Sequence, residues 1–201
     1  ASDWSSDVCS SDLDARGYID SIERICNEVD VPVMAKETGT GISAEDAMQL
    51  ENAGISFIDI EGAGGTSWAA VETYRAEDKY LGELFWDWGI PTAASTAEVV
   101  NSVNVPVISS GGIRSGLDAA KAIALGADAV GMALPALKGA YGGQEALNQM
   151  VDRFNESLRL AMFLVGAGSI EELKKSAMVI KGDTKDWLEA RGIDVKQYAR
   201  R

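Results

Sequence analysis

The chain has 201 residues, 46% apolar and 24% charged, which is a globular composition. Its formal net charge of −13 argues against nucleic acid and against an anionic membrane surface as partners. Phosphate ligands stay open, because local N–H groups and single cations hold anions inside acidic proteins.

The first 13 residues have no helical or strand period. Ser5-Ser6-Asp7 recurs as Ser10-Ser11-Asp12. This head resembles a translated sequencing-adapter tract joined to a genuine reading frame, the alternative being an ordinary disordered N-terminus, and fold reasoning starts after it. Tyr18, Ile19, Ile22, Ile25, Cys26 and Val29 then follow helical spacing. Residues 31–36 read as a buried strand, with Pro32 near its start. Ser43 caps a helix to about Ala53, Asp46 stands in capping-box spacing, and Gly54 ends it. Residues 56–60 form the next strand, and a glycine-rich turn, Gly62-Ala63-Gly64-Gly65-Thr66, follows. Residues 67–90 read as a long irregular loop rich in Trp and Tyr, a length more often functional than idle. Pro91 opens a helix to about Asn101. A strand at 105–109, a helix at 117–125 and a strand at 127–133 come next. A long helix spans 144–165, and Gly166-Ala167-Gly168 stops it. Ser169 with Glu172 is a second capping box, and a last helix lies near 186–190.

The strands are short and apolar throughout, so they should be parallel and buried on both faces. The βα alternation predicts an α/β fold of the TIM (β/α)₈ barrel type, represented by about four units where a barrel has eight. Two domains are expected, the head at 1–13 and a partial barrel at 14–201.

The chemistry gathers at strand ends. Ser109-Ser110-Gly111-Gly112-Ile113-Arg114-Ser115-Gly116 links a buried strand to a helix N-terminus. Glycines there allow close backbone approach, and the amides of a first helical turn attract an anion, with phosphate the expected guest. Ala133 and Leu134, after the next strand, offer main-chain N–H groups to the other side of it. Arg114 either backs that phosphate or pairs with a surface carboxylate. Lys36 ends its strand where barrel active sites lie, so it faces a ligand or snorkels to the rim. Thr66 adds a hydroxyl after the Gly62–Gly65 turn. The 201 residues contain no histidine, which removes the commonest general base and metal ligand. The two cysteines, Cys9 and Cys26, have no metal-like spacing and fit a reducing, cytoplasmic setting. No apolar run of about 18 residues or basic-then-apolar leader is present, so no membrane partner is expected.

Several segments together resemble the type 2 isopentenyl-diphosphate Δ-isomerases. They are Val31-Pro32-Val33-Met34-Ala35-Lys36-Glu37, Asp59-Ile60-Glu61-Gly62-Ala63-Gly64-Gly65-Thr66-Ser67-Trp68, and Trp88-Gly89-Ile90-Pro91-Thr92-Ala93-Ala94-Ser95. Ser110-Gly111-Gly112-Ile113-Arg114-Ser115-Gly116-Leu117-Asp118, Gly131-Met132-Ala133 and the tail Trp187-Leu188-Glu189-Ala190-Arg191-Gly192 complete the set. The resemblance implies an FMN-dependent TIM barrel that interconverts isopentenyl and dimethylallyl diphosphate in isoprenoid biosynthesis. It implies reduced flavin, supplied through NADPH, and Mg²⁺ for the diphosphate. Lys36 and Thr66 would contact the flavin, while Gly111, Gly112, Ile113, Arg114, Ala133 and Leu134 would hold its phosphate. The family's substrate-binding residues and Mg²⁺-binding glutamate have no match here. The expectation is therefore a C-terminal half with no catalytic and no metal-binding residue of its own, inactive alone and homo-oligomeric when intact.

Two other readings stay open. A 2-hydroxy-acid oxidase shares the Gly-Gly-x-Arg loop but uses a histidine base on this same half. A flavin-free phosphate-binding barrel shares only the anion cradle. An inosine-monophosphate-dehydrogenase-like chemistry needs a loop cysteine, and Cys26 precedes the first strand on a helix.

Overall fold

The computed structural model describes residues 16–201. The expected head at 1–13, with Cys9, lies outside them. Four parallel strands, β1 (Met34–Lys36), β2 (Phe57–Asp59), β3 (Val107–Ser109) and β4 (Ala129–Val130), pair in the order β1-β2-β3-β4. That order decides the architecture. A doubly wound sheet reverses its strand order part-way, whereas consecutive neighbours joined by helices wind in one direction, as in a barrel wall. The sheet is a partial TIM barrel.

Helix α1 (Tyr18–Glu28) precedes β1, and α2 (Ala44–Asn52) connects β1 to β2. Ser43 caps α2 by accepting the Asp46 amide at 3.1 Å, and Gly54 leaves it at φ +91°. Between β2 and β3 lie α3 (Trp68–Arg75), α4 (Tyr80–Leu84) and α5 (Thr92–Val100). The expected irregular loop at 67–90 thus holds two helices. Ser67 caps the first, with its Oγ accepting the Ala70 amide at 3.2 Å, and the second packs back on it where Gly82 lies against Ala69 and Thr73. Tyr74 meets Trp86 edge-on at 5.9 Å, and Phe85 meets Trp88 at 5.6 Å. Aromatic spacing that serves a local cluster hides the helical period.

Helix α6 (Gly116–Leu125) joins β3 to β4. β4 is only two residues long; the Gly131 amide still donates to Ser109 O at 2.9 Å, but the rest of the expected strand at 127–133 is irregular. Helix α7 (Leu134–Tyr141), unread in the sequence, starts at once, with Pro135 in its first turn. It packs on α8 (Gln144–Leu164). Then come α9 (Ile170–Lys174), α10 (Gly182–Ala190) and α11 (Lys196–Ala199). At α9, Ser169 accepts the Glu172 amide at 3.2 Å, but the Glu172 carboxylate takes the Gly168 amide rather than completing the box.

The two faces of the sheet differ. Ile58 and Val107 point toward the helices and pack with Ile42, Ala47, Ile55, Ile60 and Val99 in the main core. Cys26 packs against this cluster. Residues of opposite parity point to the other face. There Met34 and Phe57, paired in register, are 46% and 38% exposed. Expected burial on both faces therefore holds on the helical side, while on the other face Asp59 is buried and Met34 and Phe57 are not. The tail closes the far end, where Leu188, Val195 and Tyr198 pack on Ala97 and Leu125.

Candidate functional site

One cavity of about 380 Å³ opens at the C-terminal ends of the strands. Lys36, Thr66, Gly111, Gly112, Ile113, Arg114, Ala133 and Leu134 all line it. Every candidate residue named from the sequence, drawn from four strand ends, thus meets in one hollow. Its volume falls within the range of small-molecule sites, roughly 300–1,000 Å³.

The loops that build this hollow are locked backbone against backbone. Gly62 donates its amide to Ser110 O at 2.9 Å, and Thr92 Oγ1 donates to Gly111 O at 2.6 Å. A Cβ on Gly111 would sit 2.1 Å from Gly62 O, and one on Gly112 would sit 2.1 Å from Gly64 O. Both glycines also have positive φ, +93° and +82°. The Gly-Gly pair is therefore required by the neighbouring glycine turn. Loop packing is thus a reason for these glycines that the sequence reading did not name.

A correction concerns the helix start. Ser115 and Asp118 form a complete capping box on α6, and Gly116 donates to Ser157 Oγ at 2.9 Å. Asp118 also accepts the Arg114 and Ser115 amides. The first-turn donors are largely satisfied inside the protein. By contrast, the main-chain N–H groups of Gly112, Ile113, Ala133 and Leu134 make no hydrogen bond among the described residues. The anion-binding capacity therefore shifts from the α6 terminus to the turn before it and to the start of α7. Arg114 makes no ion pair with a carboxylate among the described residues. Its guanidinium donates to Gly112 O at 3.0 Å and to Gly64 O at 3.1 Å, stapling the two glycine loops together.

Lys36 faces the cavity within a charge cluster that sequence reasoning missed. Its Nζ bonds Asp59 Oδ2 at 3.1 Å and also the Glu61 carboxylate. Ser110 Oγ donates to Asp59 Oδ1 at 2.6 Å. Burial acts to lower the Lys36 pKa, but its hydrogen bonds to Glu61 and Asp59 outweigh it and hold the ammonium above the ordinary lysine value. The available signal was period two: Asp59 and Glu61 alternate with Ile60 at the end of an apolar strand, which puts both carboxylates on the cavity side. Among the described residues no group of three or more His, Cys, Asp or Glu side chains is placed to hold a metal ion.

The FMN-dependent dehydrogenase family model matches residues 2–180. The chain belongs to the FMN-dependent dehydrogenase family. It is 62% identical over 190 residues to the isopentenyl-diphosphate delta-isomerase of Methanothermobacter thermautotrophicus, covering 94% of this chain and 54% of that protein. It is 49% identical over 189 residues to the protein of the same name from Pyrococcus furiosus, covering 92% of this chain and 48% of that one. The resemblance read from the sequence is thus borne out, and the chain spans about half the length of the curated relatives it matches. Solved structures give the same fold. A protein described as a lactate oxidase of Pediococcus acidilactici superposes with a TM-score of 0.64 at 27% identity, over 82% of this chain and 41% of that one. A mandelate oxidase complex reaches 0.63 at 27% identity, over 82% of this chain and 44% of that one.

Proposed function

We propose that this chain carries the flavin-phosphate half of an FMN-dependent isopentenyl-diphosphate isomerase. The observation that carries the reading is the convergence of Lys36, Thr66 and the unengaged amides of Gly112, Ile113, Ala133 and Leu134 on one cavity. This donor set fits FMN. Turn amides suit a phosphate, and an ammonium with a hydroxyl suits the polar edge of a flavin ring. When bound, reduced FMN supplies the proton-moving chemistry of the allylic shift. The chain's own residues bind and orient. Gly112, Ile113, Ala133 and Leu134 hold the phosphate, Arg114 keeps its two loops in register, and Lys36 holds positive charge at the ring edge. NADPH as reductant, Mg²⁺ bound by residues outside this chain, isopentenyl or dimethylallyl diphosphate as substrate, a cytoplasmic setting and a homo-oligomeric whole protein belong to the same proposal. No helix among the described residues is long and apolar enough to cross a membrane.

The named lactate and mandelate oxidases favour a second reading, oxidation of a 2-hydroxy acid. That chemistry is expected to draw a histidine base from this half, and the 201 residues contain none. The isomerase reading also has the higher identity behind it, 62% against 27%.

The test mixes the purified chain with the complementary half of the Methanothermobacter relative, FMN, NADPH and Mg²⁺. Flavin absorbance should survive desalting, and isopentenyl diphosphate should convert to dimethylallyl diphosphate only in the mixture. Loss of flavin from every preparation overturns the reading. Turnover by this chain alone overturns the division of labour.

A further inference from the structure

We propose that Glu61 is the displaceable counter-ion of Lys36, which an incoming anionic group replaces, whereas Asp59 is the fixed partner that positions the lysine. The identity of that group as part of FMN rests on the reading above.

The two carboxylates are held differently. Asp59 is only 7% exposed, and its Oδ1 accepts the Ser110 hydroxyl while its Oδ2 accepts Lys36. Anchoring on two sides leaves it nowhere to go. The Glu61 side chain is 25% exposed, and among the described residues Lys36 is the one partner of its carboxylate. Glu61 is also the one non-glycine residue with positive φ among the described residues, at +22°. A residue in such a sparsely populated conformation persists only while its surroundings hold it, and these outliers collect at ligand clamps and switches. The Lys36 contact is part of what holds it.

Charge gives the same direction. One ammonium between two carboxylates makes a locally negative cluster at Lys36, while the balancing Arg114 lines another part of the cavity, so an anion that approaches the lysine itself meets repulsion. Two of the three ammonium donors already sit on carboxylates, so an anionic acceptor that comes to the third meets the repulsion of both, and that repulsion is relieved when one carboxylate gives way. The exposed, singly held Glu61 leaves at lower cost than Asp59. Removing the Glu61 charge should therefore strengthen anion binding, and removing that of Asp59 should weaken it by letting the lysine drift.

The experiment compares wild type, Glu61→Gln and Asp59→Asn, with Ser110→Ala as a milder way to loosen Asp59 should the buried Asn variant fail to fold. The first readout is the rate at which trinitrobenzenesulfonate labels Lys36, followed by peptide mass mapping, with and without inorganic pyrophosphate. In Glu61→Gln the labelling rate should rise about tenfold, and pyrophosphate should protect at about tenfold lower concentration, the scale expected for loss of one adjacent negative charge. The second readout is FMN affinity by fluorescence quenching. It should tighten about tenfold in Glu61→Gln and weaken in Asp59→Asn or Ser110→Ala. Unchanged labelling and protection in Glu61→Gln overturn the proposal, as does weaker FMN binding in that variant. Should no protein bind FMN while pyrophosphate protection still strengthens in Glu61→Gln, the counter-ion role stands and the flavin reading alone falls.

Discussion

Replacing Gly112 by alanine isolates the physical cause of the Gly-Gly pair. The added Cβ would lie 2.1 Å from Gly64 O and 2.5 Å from Gly64 C, whereas ordinary contact begins at 3.4 Å. The two loops would have to part by more than about an ångström, on the scale of ordinary van der Waals spacing. They are not free to do so. Gly62 is tied to Ser110 O at 2.9 Å, Thr92 Oγ1 to Gly111 O at 2.6 Å, and Arg114 Nη2 to Gly64 O at 3.1 Å. Surrendering two such bonds costs about 2 kcal/mol. Placing alanine at φ +82° adds about 1 kcal/mol. The expected loss is about 3 kcal/mol, large for a single methyl group. Gly166→Ala is the matched control, because Gly166 has φ +73° and nothing within 4 Å of its Cβ position. It should lose only the backbone part, about 1 kcal/mol. Urea unfolding followed by tryptophan fluorescence and circular dichroism measures both. Equal losses in the two variants would refute the interlock and leave conformation as the sole reason for the glycine.

Three further outcomes are expected. Glu98 is 2% exposed and accepts Trp187 Nε1 at 2.6 Å, Arg191 Nε at 3.1 Å and the Ala44 amide at 3.2 Å, so Glu98→Ala should destabilise by about 2–3 kcal/mol in urea unfolding. A loss under about 1 kcal/mol would show that α10 docks by apolar burial alone. Ser115→Ala removes the α6 capping box and should cost about 1 kcal/mol, with no effect on α8 beyond the Gly116–Ser157 contact; a null result in thermal unfolding would count against it. Asp128 accepts the Val107 amide at 2.8 Å and pairs with Lys174 at 2.5 Å. Burial acts to raise its pKa, but those two contacts outweigh it and hold the carboxyl below its ordinary 3.8. A depressed folded value gives stability that is complete above the unfolded pKa and is lost as pH falls through the folded one. Wild type should therefore be more stable than Asp128→Asn at neutral pH, and the gap should narrow below about pH 4. Urea midpoints that stay parallel across that range would contradict it.

Much of the fold was legible because its signals are local. Ser43, Gly54, Pro91, Gly166 and Ser169 mark helix limits through bonds made within a few residues, and each stands where its chemistry placed it. The segment at 67–90 was not legible, because its two helices are short and its aromatic residues pair with one another, Tyr74 with Trp86 and Phe85 with Trp88, rather than forming a one-sided stripe. β4 read too long for a related reason: apolar residues continue past Val130, but the ladder ends with the Gly131 amide and the chain turns into α7.

By itself the sequence determined which loops follow which strands, and so which residues stand at one end of the sheet. Strand parity, turn glycines and capping side chains act over a few residues and need no distant partner. Only the tertiary structure decided what those residues touch. It set Asp59, Glu61 and Ser110 around Lys36, placed the Arg114 guanidinium on two carbonyls, and filled the space beside Gly111 and Gly112 with another loop's backbone. Each of these contacts joins segments more than 20 residues apart or depends on one that does, and burial, charge pairing and steric exclusion at such range arise only once the parallel sheet has brought the strand ends together.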